Sequence, residues 1–153
     1  MSTSNVGSEY LQKRITAEFA LARHIGIVVD SAGDAGVTIR APLAHNANYK
    51  GTAFGGSMYS VAVLAGWAWV TRYLAAEHVS ADTVIQDSSM RFLVPVRGEL
   101  HAHAAAPAPA RIDKFRKMLL RAGRGRISVR VELHTNDELA ALFVGEFAAA
   151  IRE

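Results

Sequence analysis

Between Asn48 and Ser60 the chain reads Asn48-Tyr49-Lys50-Gly51-Thr52-Ala53-Phe54-Gly55-Gly56-Ser57-Met58-Tyr59-Ser60, and it then enters the apolar run Val61 to Trp69. A polar, glycine-rich loop feeds a helix. Gly55 and Gly56 let the backbone approach a ligand closely, and the free N–H groups of a first helical turn attract negative charge. Such donors suit the charge that develops on a carbonyl oxygen during acyl transfer. The same two glycines also suit tight helix packing, and both roles stay open. Ser57 and Ser60 read as cap and packing hydroxyls rather than nucleophiles, because no Gly-x-Ser-x-Gly elbow surrounds either. Phe54, Ser57, Met58, Tyr59 and Ser60 are the residues expected to line a substrate.

Three other groups bear on chemistry. A polar run, Gln86-Asp87-Ser88-Ser89, interrupts an otherwise apolar alternation and makes Asp87 the candidate general base, with an ordinary strand-end Asp as the competing reading. Strict alternation from Met90 and Phe92 puts Asp87 on the opposite face unless a bulge intervenes. The segment Arg111 to Arg121 places Lys114, Lys117 and Arg121 on a basic surface that suits phosphates or an acidic protein, and equally suits plain solvation. His101 and His103 lie two apart on one strand face, but neither a third ligand nor an acidic cluster is visible, and no metal is expected.

The elements that must position these groups follow from periodicity. Phe54, Met58, Val61, Leu64, Trp67 and Trp69 lie all round a helical wheel, so this helix should be wrapped by protein. Before it, Ser8 is placed to cap a helix bearing Leu11, Ile15, Phe19 and Ala22. Ile25, Ile27 and Val29 then alternate, Ser31 to Gly36 reads as a turn, and Val37 to Arg40 returns as a hairpin. After the central helix, Thr83 to Val94 reads as a long strand ended by Pro95. Leu100 to Ala106 reads as its antiparallel partner, and Pro107 and Pro109 as breakers. A short basic helix capped by Gly123 comes next. Two strands follow, Arg126 to Thr135 and Glu138 to Ile151, joined by Asn136-Asp137. With no βαβ alternation, the fold class is α+β, an antiparallel sheet packed on the central helix.

Composition narrows the classes. The chain has 153 residues, half of them hydrophobic and a fifth charged, with a net charge of +3. That is one domain with a real core, residues 1–153, rather than a disordered or polyelectrolyte chain. Nucleic-acid binding is therefore not expected. There is no cysteine, which removes disulfides and thiolate chemistry. Met1 to Tyr10 is polar and lacks a signal-peptide pattern, so a cytoplasmic location is expected. The apolar run after Phe54 approaches the roughly 20 residues of a membrane span. Its serines and glycines, and the amphipathic strands that need it as a core, argue against one.

The pattern Asn48-x-x-Gly51-Thr52-Ala53-Phe54-Gly55-Gly56 resembles the Asn-x-x-Gly-x-x-His-Gly-Gly signature of hotdog-fold acyl-CoA thioesterases of the phenylacetate-pathway type, with Phe54 in place of His. Together with Asp87-Ser88-Ser89-Met90-Arg91-Phe92-Leu93-Val94-Pro95-Val96, it is similar to the YiiD C-terminal-type thioesterases. The resemblance implies a hotdog fold, a curled sheet around the long helix, with subunits joined edge to edge as a homodimer or a dimer of dimers and active sites at the interface. It implies hydrolysis of an acyl thioester carried on coenzyme A or an acyl-carrier protein, without a cofactor. Asn48 would contact substrate or water, and Gly55 and Gly56 would hold the oxyanion. In the His-Gly-Gly group an acid nine residues past the His acts as base or nucleophile. Here that position is Val63, and no Asp or Glu precedes Glu77 on the helix. Asp87, acting on a water held by Asn48, is the expected replacement. The alternative is a module that binds acyl thioesters without hydrolysing them.

Overall fold

The computed structural model describes residues 6–153. The polar stretch 1–5 lies outside the described residues. In chain order the elements are α1 (Ser8–Glu18), α2 (Ala20–Ile25), β1 (Val28–Gly33), β2 (Gly36–Ala41), α3 (Gly55–Ala76), β3 (Ala81–Phe92), β4 (Leu100–Ala105), α4 (Pro109–Ala122), β5 (Arg124–Thr135) and β6 (Glu138–Ile151). The six strands make one antiparallel sheet in the order β1-β2-β4-β5-β6-β3. It curls around α3 in a hotdog architecture.

Apolar residues on every side of α3 require a wrapping sheet, and the packing shows how closely it wraps. A Cβ added to Gly66 would stand 2.6 Å from the Phe147 ring, and one on Gly145 would stand 2.7 Å from Phe143 and 2.9 Å from Phe147. The two phenylalanines of β6 are thus seated against backbone at Gly66 and Gly145. Both are fully buried, and truncating either to Ala would cost about 3–5 kcal/mol. Trp69 is buried and stacks on Tyr73 at 5.5 Å, and Tyr73 leans on Phe115 of α4 at 6.1 Å. No helix among the described residues is long and apolar enough to cross a membrane.

Several local expectations are corrected. The first helix is two: Phe19 adopts an extended conformation between α1 and α2, and its ring meets Trp67 edge-on at 4.8 Å. That tertiary contact outweighs continuation of the helix. Ser8 is the first helical residue rather than the cap, which is Gly7 with no side-chain cap bond. Ile25 belongs to α2, which ends on Gly26 at φ 74, and the strand starts at Val28. The hairpin turn is shorter than expected, with Gly33 already opposite Gly36. Pro109 opens α4 instead of breaking a strand, since its missing N–H is harmless in a first turn. Gly123 ends that helix at φ 76, and Asn136 and Asp137 both take positive φ in the β5–β6 turn.

The main topological correction concerns β3. It does not pair with β4. It pairs with β6 alone and stands at the sheet edge, while β4 lies between β2 and β5. The segment from 93 to 99 carries the chain across the end of the curled sheet, where Val96 is buried and its carbonyl accepts the Ala53 N–H at 2.9 Å. This crossing brings the β3–β4 connection onto the loop that precedes α3.

Candidate active site

The site is built where three segments meet: the loop 46–54, the first turn of α3, and the end of β3 with residues 93–96. Asn46 organises the loop. It is buried, its side-chain amide donates to the carbonyls of Ile25 (2.9 Å) and Pro42 (2.8 Å), and its own carbonyl accepts the Phe54 N–H at 2.7 Å. The sequence reading missed Asn46, and its only signal was a second Asn two residues before Asn48. Ala47 and Ala53 form an isolated bridge that closes the loop.

Asn48 braces this loop from within. Its Oδ1 accepts the N–H groups of Lys50 (2.9 Å) and Thr52 (3.2 Å), and its Nδ2 donates to Thr52 Oγ1 at 2.9 Å. That is an Asx-type turn. Gly51 takes φ 77 within it.

Phe54 precedes α3 in an extended conformation and makes no side-chain cap bond. Its N–H is spent on Asn46, and the first helical bond runs from the Met58 N–H to the Phe54 carbonyl at 3.0 Å. Among the described residues, the N–H groups of Gly55, Gly56 and Ser57 have no partner. Three adjacent donors therefore stand free at the positive end of a helix of 22 residues. The first of them, Gly55, borders a cleft of about 320 Å³ lined also by Ala53, Met58, Phe92, Val94 and Val96. Gly55 faces it openly, since a Cβ there would lie 3.6 Å from the Phe92 ring. Gly56 is constrained by its neighbour: a Cβ there would fall 2.5 Å from the Phe54 ring, which covers it while remaining 57 % exposed.

Beyond this turn, Ser60 Oγ donates back to the Gly56 carbonyl at 2.9 Å. Tyr59 projects to β3, where its hydroxyl meets Ser88 Oγ at 2.6 Å, and its ring meets Phe143 edge-on at 5.7 Å. Met58 is buried beneath the cleft, and Val63 packs partly buried against the core.

Asp87 is not brought to this cleft. The register of β3 against β6 slips between Ile85 and Asp87, so Gln86 is a bulge. After the slip Ser88 lies opposite Gly145, between Phe143 and Phe147, on the face toward α3. Asp87 lies opposite Glu146 on the outer face, where its carboxylate accepts the Ser88 N–H at 2.8 Å. The fold thus does not turn Asp87 toward the face on which a base acting at Gly55 would stand. The bulge lies before Asp87 rather than between it and Met90, so Asp87 stays on the outer face, and Asn48 is occupied by its own turn.

The basic residues lie elsewhere. Lys114, Lys117 and Arg121 line a groove of about 450 Å³ on the outside of α4. α4 packs at the far end of α3, where Arg116 also meets Glu77 at 2.9 Å. A larger cavity of about 660 Å³ lies there as well, between α1, the floor residues Trp67 and Thr71, and the start of β3. Its one helix start is Phe19, the cap of the six-residue α2, so the smaller cleft at Gly55, at the start of the long α3, is the better chemical site. His101 and His103 sit on the outer sheet face, the first 3.3 Å from Glu99 and the second 2.8 Å from Thr38 Oγ1. Among the described residues no three metal-ligating side chains form a group that could hold an ion.

Comparisons with known proteins agree with this fold. A protein of unknown function from Chlorobaculum tepidum TLS superposes with a TM-score of 0.91 at 26% identity, over 95% of this chain and 94% of that one. A "putative thioesterase" from Shewanella oneidensis gives 0.85 at 24% identity, over 97% and 99%. The PaaI protein of the Escherichia coli phenylacetic acid degradation operon gives 0.69 at 18% identity, over 99% and 97%, and shares the fold. The family model described as "Putative thioesterase (yiiD_Cterm)" matches residues 8–151, and the chain belongs to that family.

Proposed function

We propose that the protein hydrolyses an acyl thioester carried on coenzyme A or an acyl-carrier protein, working as a homodimer or a dimer of dimers. The observation that carries this reading is the set of free N–H groups at Gly55, Gly56 and Ser57, at a helix start whose first residue borders an apolar cleft. A thioester carbonyl seated there would direct its oxygen at the donors, and the charge formed when water adds would be stabilised by preorganised dipoles. Phe92, Val94 and Met58 would hold the acyl chain. The hydroxyl pair of Tyr59 and Ser88, one turn further along α3, would position the attacking water. The basic groove of α4 would take the phosphates of the carrier.

A second reading has its own observation. The helix position at which the His-Gly-Gly thioesterases carry an acid is Val63, and Asp87 faces away from the cleft. A site with donors but no base binds acyl thioesters without turning them over. Release of free thiol from a panel of acyl-CoAs and acyl-carrier proteins separates the two. Turnover supports hydrolysis, whereas saturable binding without thiol release establishes the binding module. Replacing Lys114, Lys117 and Arg121 together with Ala should weaken binding and reduce its salt dependence. Unchanged affinity and salt dependence would remove α4 from the site.

A further inference from the structure

Charge is unevenly spread along this chain. From Pro109 to Arg130 there are eight basic residues and one acidic one, a net +7 against +3 for the whole, so the rest of the molecule is net negative. α4 collects much of this surplus. Arg111, Lys114, Met118 and Arg121 recur at three- and four-residue spacing and therefore share one face of the helix. That face is exposed, whereas Phe115 and Leu119 are buried and anchor α4 to the body of the protein. The stripe is about 15 Å long at 1.5 Å per residue. Its cations are not spent on neighbours. Lys117 pairs with Asp113 at 3.0 Å, Arg116 with Glu77 at 2.9 Å and Arg126 with Glu146 at 3.3 Å, but Arg111, Lys114 and Arg121 have no ion-pair partner among the described residues.

Two grooves flank this stripe. One of about 450 Å³ reaches Lys117 and Arg121, the other of about 400 Å³ reaches Arg111, Arg126 and Ser128, and Lys114 and Met118 belong to both. Met118, 37 % exposed, is thus an apolar centre with a cationic rim, and its unbranched thioether adapts to whatever is laid on it. That is the anatomy of a protein-docking surface. The occupant follows from what the grooves lack. Neither is lined by an aromatic ring, so there is no platform on which the adenine of coenzyme A, or the bases of a single-stranded nucleic acid, would stack. Neither offers the large apolar side chains that a membrane-surface helix inserts below the headgroups. Leu120, which is exposed, turns to the other side of α4, toward Tyr73 and Glu77. A helix lying along α4, with carboxylates at helical spacing and one apolar side chain on Met118, satisfies both the rim and the centre. We propose that this face of α4 docks an acidic carrier protein through such a helix, and that the thioester reaching this protein is therefore carried on a protein rather than on free coenzyme A. The nature of the cargo rests on the acyl-thioester reading above, whereas the docking of an acidic helix stands by itself.

The docking face and the free N–H groups lie at opposite ends of α3. Tyr73, which meets Phe115 of α4, comes 18 residues after Gly55, about 27 Å along the helix at 1.5 Å per residue. Docking is thus separable from chemistry, and reversing charge on α4 should change KM without changing kcat. Lys114→Glu/Arg121→Glu alters only exposed side chains, so its circular dichroism should match the parent's. With an octanoyl-loaded acyl-carrier protein at low salt, the variant should raise KM by on the order of tenfold or more at unchanged kcat, while KM for octanoyl-CoA stays the same. In about 0.5 M salt the difference between parent and variant should close. The same reversal at Lys13 and Arg23, exposed on α1 and α2, should leave KM for the carrier protein unchanged. A KM for the carrier protein that ignores the α4 reversal, or that responds equally to the α1–α2 reversal, overturns the docking face. An equal rise for octanoyl-CoA places nucleotide phosphates on α4 and overturns the choice of carrier. If the parent turns over neither thioester, hydrolysis fails as the function and docking is read alone, by fluorescence anisotropy of labelled holo acyl-carrier protein. Salt-sensitive binding that the α4 reversal abolishes then supports the docking face. No binding, or tighter binding to a single-stranded oligonucleotide or to phosphatidylglycerol vesicles, overturns it.

Discussion

The Tyr59 hydroxyl and Ser88 Oγ stand 2.6 Å apart, joining the second turn of α3 to the inner face of β3 just past its bulge. Tyr59→Phe removes one partner and leaves the other half-exposed, so folding should survive. A hydrogen bond of about 1 kcal/mol predicts a loss of roughly fivefold in kcat if the pair positions water. Ser88→Ala should match it, and the double variant should cost little more than either single one, because both remove one interaction. Additive losses in steady-state kinetics would show that the two hydroxyls act apart.

Asp87→Asn provides the contrast. Its carboxylate lies on the outer face and accepts the Ser88 N–H, a bond the Asn carbonyl can also accept. Turnover should stay within about twofold of the parent, well short of the 10²-fold loss of a general base. A loss of that larger size would bring Asp87 back as the base.

Gly55→Pro tests the donor set directly. Proline is favoured at the first helical position, and Phe54 before it already has the extended conformation that a following proline requires (φ −66, ψ 134). The variant should fold with unchanged circular dichroism while losing one N–H donor. A loss of about 10²–10³ in kcat is expected for an oxyanion donor. Unchanged kcat would mean the charge develops elsewhere.

Gly66→Ala addresses the core. The new methyl would stand 2.6 Å from the Phe147 ring, which is itself pinned over Gly145 and has no room to withdraw. Overpacking of this kind costs about 1–3 kcal/mol, readable as a lower urea midpoint at unchanged m-value. A midpoint within error of the parent would show that β6 can shift away from α3.

The acid limb of stability should depend on Arg14. Its guanidinium pairs with Glu18 and lies 5.4 Å over the Trp67 ring, and it holds the Glu18 carboxyl below the usual carboxylate range. A lowered carboxylate pKa stabilises the fold above the unfolded value, and that contribution disappears as pH falls through the folded one. Arg14→Gln should therefore lower Tm at neutral pH and flatten its decline through the acid range. The effect is modest because the pair is partly solvent-exposed. Identical Tm–pH curves for parent and variant would refute the linkage.

What the sequence determined by itself is local chemistry and periodicity. The apolar residues on all sides of Val61 to Trp69 require a wrapping sheet, the Phe54-Gly55-Gly56 junction requires a helix start with unpaired donors, and Asn136-Asp137 requires a tight hairpin. Each depends on side-chain size, backbone freedom and spacing within a few residues, which are written in the chain. Tertiary structure decided the rest. Whether β3 pairs with β4 or β6 depends on strands nearly 60 residues apart. The side to which Asp87 turns depends on a bulge that only the pairing with β6 creates. The break at Phe19 depends on Trp67, a partner 48 residues away. The distance from the basic helix to the cleft depends on which end of α3 each occupies. These are long-range choices among arrangements that local propensity leaves nearly equal in energy, and packing around α3 selects between them.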